Sequence, residues 1–230
     1  MRHALDRLAA LGPYFAVRCG DRPDGDGFRP LAELYGDGLG PYVAGVGRRM
    51  RTDQPRVAAS TAQFGIASRL WSLALGSAAL DGRVPDLSPD ALWWRYPPSG
   101  SFELWLPGPR ALPGAPAEAL RASVLESNLR VLDAALRERH GLSPQVLRGN
   151  TASALVGALR VLTDRAPDAP FRPAPLVEEL LGTDPLSGSG TFVHEEGLGP
   201  YFARRSCCLY YRVPGGGICG DCVLRTRPRP

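Results

Sequence analysis

The sequence contains no lysine, so that all 27 of its basic residues are arginine. It also lacks the short motifs of several large enzyme classes, since it has no P-loop, no HExxH and no evident nucleophile–base pair. Closely spaced glycines occur in GDGLGP at residues 36–41, but no predicted strand precedes them and their spacing is not GxGxxG. An intrinsic flavin or nicotinamide site is therefore not expected.

Long hydrophobic runs are also missing. The most apolar stretch, residues 64–80, is interrupted by Arg69 and is too short to predict a transmembrane span. The first residues are charged and contain no uninterrupted apolar core, so a secretory signal is not expected. Cysteines clustered in one segment suit a reducing compartment better than a disulfide framework. These features predict a cytoplasmic location, with contact to the inner face of a membrane left open.

Positive charge is concentrated in the last part of the chain. Residues 201–230 hold six arginines and one acidic residue, Asp221, which gives this part a charge of +5. The net charge of the whole chain is +4, so residues 1–200 carry +4 minus +5, or −1. The extended basic face with aromatic residues that a nucleic-acid interface requires is not apparent. We therefore expect no nucleic-acid partner.

Hydrophobic periodicity predicts an α+β protein that is mainly α-helical, with a small β-hairpin or sheet. The predicted helices cover residues 2–11, 56–80, 117–140 and 152–164, with short helical turns around 31–34 and 176–181. Gly65 and Gly76 mark the points at which the longest helix would break. Asn150 or Thr151 is expected to cap the helix that starts at residue 152. The hairpin is predicted over residues 92–106, with its turn at 97–100.

Four of the five cysteines form the pattern C-C-x10-C-x2-C, made by Cys207, Cys208, Cys219 and Cys222. Two residues between Cys219 and Cys222 allow both sulfur atoms to face one metal while nearby backbone N–H groups point at them. Pro214 and the three glycines after it favour a turn that folds the second pair back on the first. The spacing predicts a closed four-thiolate site. A structural zinc tetrathiolate would use the same ligands, whereas two disulfides would need an oxidising compartment.

The adjacent pair fits neither zinc knuckles, which use C-x2-4-C twice, nor plant-type ferredoxins. With Arg204-Arg205 before it and Cys-Gly-Asp-Cys at its end, the segment resembles the C-terminal motif of the ferric siderophore reductase family (FhuF-like proteins). A looser likeness includes the apolar helix near residues 62–80, the Trp-rich segment 92–106 and Gly149-Asn150. The resemblance implies that the four cysteines hold a [2Fe–2S] cluster.

The resemblance also implies an activity, the one-electron reduction of siderophore-bound Fe(III) to Fe(II), with a hydroxamate siderophore as the expected substrate. Electrons would come from an external donor such as a ferredoxin or a reductase. Hard oxygen donors hold Fe(III) far better than Fe(II), so reduction would release the iron. Two alternatives stay open. One is a [2Fe–2S] electron carrier without a siderophore substrate, and the other is a zinc-tetrathiolate protein with a siderophore-binding or structural role.

The expected organisation is a siderophore-interacting domain over residues 1–195, with residues 196–230 as a cluster segment packed on it. No acid–base residue is expected to be catalytic. Arg204, Arg205 and Arg212 are candidates for edging a surface on which the chelate or the electron donor docks. A four-thiolate [2Fe–2S] centre carries roughly −2 when oxidised and roughly −3 when reduced, so arginines beside it would favour the reduced form.

Four further side chains are candidate neighbours of the site or of its substrate. Trp93 and Trp105 on the predicted hairpin are candidates for a platform beneath a bulky, flat-sided chelate. His194 is a candidate for a hydrogen bond that tunes the cluster. Cys19, the fifth cysteine, is expected to be a small buried thiol rather than a spare ligand.

Overall fold

A computed structural model describes residues 1–21, 27–97, 101–195 and 199–225. It is about 54% helical, with small sheets and a cysteine-rich segment at its end, which confirms the predicted α+β class. The helices described are α1 (Arg2–Leu8), α2 (Leu31–Tyr35), α3 (Leu39–Met50), α4 (Pro55–Asp81), α5 (Pro116–Leu120), α6 (Arg130–His140), α7 (Pro144–Arg165) and α8 (Ala174–Gly182). The strands are β1 (Arg18–Cys19), β2 (Arg29–Pro30), β3 (Trp93–Arg95), β4 (Glu103–Leu106), β5 (Gly190–Glu195) and β6 (Gly199–Arg204).

The centre of the fold is α4, a 27-residue helix that is buried around most of its circumference. Pro55 occupies its first turn and Gly82, in the left-handed region at φ 68°, ends it. The helix is continuous through Gly65 and Gly76, so the predicted break does not occur. A β-carbon at Gly76 would lie 2.6 Å from Leu8 Cδ2, which shows how closely α1 packs on α4.

The second central helix, α7, packs along α4 and is longer than predicted. Ser143 caps it, because the Ser143 hydroxyl accepts a hydrogen bond from the Val146 N–H at 3.3 Å. The predicted cap at Asn150 or Thr151 is therefore wrong by about two turns. Both residues are buried inside the helix, and their side chains bond to other elements.

A π-helical segment at residues 121–129 joins α5 to α6 without a break. Asn128 stabilises it, since its side-chain amide donates hydrogen bonds to the carbonyls of Ser123 at 2.7 Å and Leu87 at 2.8 Å. The Ser127 hydroxyl donates to the Ala122 carbonyl at 2.7 Å. Such wide turns are uncommon and occur often at functional sites.

The predicted hairpin is present as the antiparallel pair β3 and β4, with Trp93 opposite Trp105. Its turn at residues 98–100 lies outside the described residues. Two strands that were not predicted complete the sheet in the order β1-β4-β3-β2. A second, two-stranded sheet pairs β5 with β6 and leads directly into the cysteines. Within the described ranges, no helix is long and apolar enough to cross a membrane.

Candidate metal centre

The four clustered cysteines lie in residues 204–225, here called the cysteine segment, which begins at the last residue of β6. Gly215 and Gly217 adopt φ values of 72° and 66°, and the chain reverses there. The reversal places Cys208 Sγ 3.4 Å from Cys219 Sγ. All four thiols are free rather than disulfide-bonded. The structure therefore folds the second cysteine pair back on the first, as the spacing predicts.

Backbone N–H groups are directed at two of the sulfur atoms. The Leu209 N–H donates to Cys207 Sγ at 3.3 Å, and the Leu224 N–H donates to Cys222 Sγ at 3.4 Å. Leu209 holds a left-handed conformation, φ 68°, which is uncommon for a leucine. Hydrogen bonds of this kind stabilise negative charge on sulfur and raise the potential of a metal–thiolate group.

The thiols differ in acidity. The hydrogen bond between the Cys208 and Cys219 sulfur atoms lowers the pKa of Cys208 to about 6, and the same bond raises the pKa of Cys219. Burial raises the pKa of Cys207, against the opposing effect of the Leu209 N–H. Among the described residues, no three Cys, His, Asp or Glu side chains converge as a ready-made ligand group. Four free thiols and N–H groups aimed at sulfur nevertheless supply the donor set that a metal–thiolate centre requires.

Arg204 connects the cysteine segment to both central helices. Its buried guanidinium donates to Asn150 Oδ1 on α7 at 2.7 Å. The Asn150 amide donates to the carbonyl and hydroxyl oxygens of Ser60 on α4, both at 3.0 Å. The Ser60 hydroxyl in turn donates to the Cys208 carbonyl at 2.7 Å. This chain of bonds fixes the first cysteine pair on the helices.

Asp221, between Cys219 and Cys222, fixes the second pair. Its buried carboxylate forms an ion pair with the Arg160 guanidinium on α7, at 2.8 Å, and accepts a hydrogen bond from the Ser153 hydroxyl. The Asp221 carbonyl accepts from the Arg204 N–H at 3.1 Å. Sequence reasoning assigned no role to Arg160, Ser153 or Ser60. Of the residues in this attachment, only Asp221 lies inside a recognisable motif, the Cys-Gly-Asp-Cys turn.

Gly149 is the point of closest approach between α7 and the cysteine segment. A β-carbon there would lie 2.2 Å from Ser206 Oγ and 2.9 Å from Arg204 Nη2. The Ser206 hydroxyl, just before Cys207, donates to the Gln145 carbonyl at 2.7 Å. Only glycine allows the segment to lie this close to the helix.

Residues 204–224 match the family model described as the FhuF 2Fe–2S C-terminal domain. The cysteine segment is thus similar to the FhuF 2Fe–2S C-terminal domain, and it is called the FhuF-like segment below. Its cofactor is a [2Fe–2S] cluster, and the residues available to hold it are Cys207, Cys208, Cys219 and Cys222. The match covers 21 of the 230 residues, so it indicates the cofactor of this segment and not a substrate. No curated protein matches the chain.

The three arginines of the FhuF-like segment that are predicted to edge a docking surface differ in exposure. Arg204 is 3% exposed, so the surface role predicted for its side chain is wrong, because that side chain is bonded inside the protein. Arg205 and Arg212 are exposed. The Arg212 guanidinium contacts the Tyr211 hydroxyl at 3.0 Å, and the Arg205 N–H donates to the Ser189 carbonyl at 2.9 Å. A docking role for these two remains a prediction.

The tryptophan candidates lie in the four-stranded sheet. Trp105 is 7% exposed, packs edge-on against Phe28 and donates from its indole N–H to the Gly20 carbonyl at 2.8 Å. Trp93 is half-buried, with its ring centroid 5.4 Å from that of Trp105. These contacts are all within the sheet region, and a chelate platform there remains a prediction.

Two further candidates lie outside the FhuF-like segment. His194 is exposed on β5, and among the described residues no hydrogen bond joins it to a cysteine. Cys19 is half-buried on β1, where it pairs with Leu106. Burial, with a contribution from Asp6, raises the pKa of Cys19 to about 11, so this thiol is less acidic than an ordinary cysteine.

Proposed function

We propose that the chain is a ferric-siderophore reductase that works in the cytoplasm with an external electron donor, a ferredoxin or a reductase. The observation that carries the proposal is the FhuF-like segment at residues 204–224, whose two cysteine pairs meet at Cys208 and Cys219. This segment is fastened to the two central helices, so the cysteines occupy fixed positions relative to the rest of the protein.

The chain's own residues hold the cofactor and adjust its charge. When bound, the [2Fe–2S] cluster supplies one-electron transfer. The Leu209 and Leu224 N–H groups stabilise charge on the sulfur atoms of Cys207 and Cys222. The buried Arg204 guanidinium adds a fixed positive charge that acts on Cys207, Cys208 and Cys219, which favours the form that carries one more electron.

The substrate is Fe(III) held by oxygen donors, for which a hydroxamate siderophore is the first expectation. Each turnover takes one electron from the reduced donor and adds it to Fe(III), giving Fe(II), while the donor returns to its oxidised form. Fe(II) is held more weakly by hard oxygen ligands and exchanges out of the chelate. No proton transfer by the protein is required, so the chain contributes binding and position rather than acid–base catalysis.

An optical spectrum with metal and sulfide analysis gives the first test. Anaerobically purified protein is expected to be red-brown, to contain iron and acid-labile sulfide in equal amounts and to bleach with dithionite. Cys208→Ser should lose the cluster, whereas Cys19→Ser, on β1, should keep it. A colourless zinc protein, even after anaerobic supply of iron and sulfide, would remove the redox proposal.

The second test is reduction of a ferric hydroxamate by the dithionite-reduced protein, followed with an Fe(II)-trapping dye. Release of Fe(II) that depends on the intact cluster is expected. A protein that holds the cluster but neither binds a ferric hydroxamate or an anionic ferric siderophore nor accelerates iron release from either would instead be an electron carrier.

A further inference from the structure

A cleft of about 850 Å³ lies on the far side of α7 from the cysteine segment, and none of its lining residues belongs to that segment. It is formed by the π-helical segment and α6 on one side, the first two turns of α7 on the other, and residues 184–186 at its end. Its volume falls within the range of small-molecule pockets, roughly 300–1,000 Å³. The π-helical turn, a geometry frequent at functional sites, forms part of its wall.

Arginine dominates the charge of this cleft. Arg121, Arg130, Arg137 and Arg148 line it, against three acids, Glu126, Asp133 and Asp184. Its net charge is four minus three, or +1, and it becomes +2 when Asp133 is protonated. Burial raises the pKa of Asp133 to about 7, so the protonated form is well populated near neutral pH.

Three of these arginines are available to a ligand. Arg121 is occupied, because it donates to the Thr183 hydroxyl at 2.7 Å and to the Asp184 carbonyl. Arg130, Arg137 and Arg148, by contrast, form no ion pair within the part of the chain that the structure describes. Three guanidinium groups on facing helices supply donors that match carboxylate or catecholate oxygens.

The floor of the cleft is held from below by α4. Gln63, which is completely buried, donates from its amide to Asp133 Oδ1 and to the Thr151 hydroxyl, each at 3.1 Å. This bridge links α6 and α7 to the central helix. The cleft therefore has a fixed floor rather than a loose groove between helices.

The cleft and the cysteines occupy opposite faces of the same helical turns. Pro144, Leu147 and Arg148 of α7 line the cleft, whereas Gly149, Asn150 and Ser153 contact the cysteine segment. At 3.6 residues per turn these two sets point in roughly opposite directions, one helix diameter or about 10–12 Å apart. An electron that passes from the cysteine segment to a chelate in the cleft would therefore cross α7.

We propose that this cleft binds the ferric chelate, and that it selects a chelate with net negative charge, built from carboxylate or catecholate donors. The inference rests on the proposed reductase function and differs from the hydroxamate expectation, because a tris-hydroxamate of Fe(III) is neutral. Arg130, Arg137 and Arg148 bind the anion, and Asp133 and Thr151 form the floor.

Gallium(III) chelates test binding separately from reduction, since gallium(III) has the charge of Fe(III) but accepts no electron under these conditions. Holoprotein is titrated by calorimetry with the trianionic gallium(III) tris-catecholate and with a neutral gallium(III) tris-hydroxamate. The anionic chelate is expected to bind at least ~10-fold more tightly. Arg137→Gln and Arg148→Gln should each weaken its binding ~5-fold, and the double variant ~25-fold. The matched control is Arg7→Gln, an exposed arginine on α1, which should change binding by less than ~2-fold.

Each outcome decides a different point. Equal binding of the two chelates, unchanged in the double variant, overturns the cleft as the anion site. Loss of binding in Arg205→Gln or Arg212→Gln, with the cleft variants unaffected, would show that the chelate binds at the surface of the cysteine segment. That result also overturns the cleft proposal. The gallium chelate could bind in the cleft while the reduced holoprotein fails to reduce the ferric chelate. This result would support the cleft as the binding site and reject the reductase function. The visible spectrum of each variant checks that its cluster is intact.

Discussion

Replacing Asp221 by asparagine removes the charge that joins the second cysteine pair to α7 while leaving the shape of the side chain nearly unchanged. The carboxylate is buried, lies 2.8 Å from the Arg160 guanidinium and accepts from the Ser153 hydroxyl. The Asp221 carbonyl keeps its bond to the Arg204 N–H, because that bond is a backbone one. The substitution therefore tests the side-chain attachment alone.

The magnitude follows from the exposure of the two partners. A hydrogen bond to a charged group contributes about 1.5–3 kcal/mol. The Arg160 side chain is 35% exposed, so water solvates its charge after the substitution and the loss falls in the lower part of that range. We expect the cysteine segment to lose about 2 kcal/mol of attachment to α7, which corresponds to an open population about 30-fold larger.

The assay is the rate of cluster loss to an added iron chelator, followed by bleaching of the visible absorption. When the segment opens and closes faster than the chelator captures iron, this rate is proportional to the open population. Asp221→Asn should accelerate bleaching about 30-fold. Asp168→Asn, at an exposed position on the connector before α8, should leave the rate unchanged.

A double-mutant cycle with Arg160→Gln makes the test specific. If the ion pair provides the attachment, the double variant should lose the cluster little faster than either single variant. A rate for Asp221→Asn within about 2-fold of the unmodified chain would refute the reasoning. So would single effects that simply add, because the two side chains would then act independently.

Two further predictions concern the helices around the site. Gly149→Ala should lower cluster content and destabilise the protein by about 1–3 kcal/mol in urea unfolding, because its β-carbon would overlap Ser206 Oγ. Gly157→Ala in the same helix, with nothing within 4 Å, should be neutral or stabilising, and equal effects of the two would contradict this packing. Because burial raises the pKa of Asp133 from 3.8 to about 7, the folded chain binds a proton that the unfolded chain releases at lower pH. The free energy of unfolding should decrease as pH rises from about 4 to about 7, and Asp133→Asn should flatten that slope; an unchanged slope would assign it to other groups.

Sequence reasoning succeeded where the determining interactions are local. The glycines between the two cysteine pairs predict the chain reversal that brings the pairs together. The pairs are Cys207-Cys208 and Cys219 with Cys222. The alternating aromatic residues at 92–96 and 101–106 likewise specify the β3–β4 pairing. In both cases, the residues that meet are separated by fewer than about fifteen positions.

The errors arose where a polar residue is paired with a distant partner. The sequence predicts a cap at Asn150 because asparagine is favoured at helix starts, but Asn150 is buried mid-helix, where it bonds to Ser60 and Arg204, 90 and 54 positions away. Arginine is usually exposed, so the sequence predicts Arg204 at the surface, but its side chain is buried against Asn150. The cleft between α6 and α7 was missed entirely, because its arginines are distributed over separate helices, each of which alone shows an ordinary charged face.

The attachment of the cysteine segment determines how freely it could be transplanted. Within its described residues, 204–225, the buried apolar side chains are those of Val213 and Cys222, which is too little to form a core. Its order comes instead from Ser60, Asn150, Ser153 and Arg160 on the helices. A chimera that grafts the four-cysteine motif onto another scaffold would therefore need to reproduce the matching faces of two packed helices, including a glycine at the crossing point.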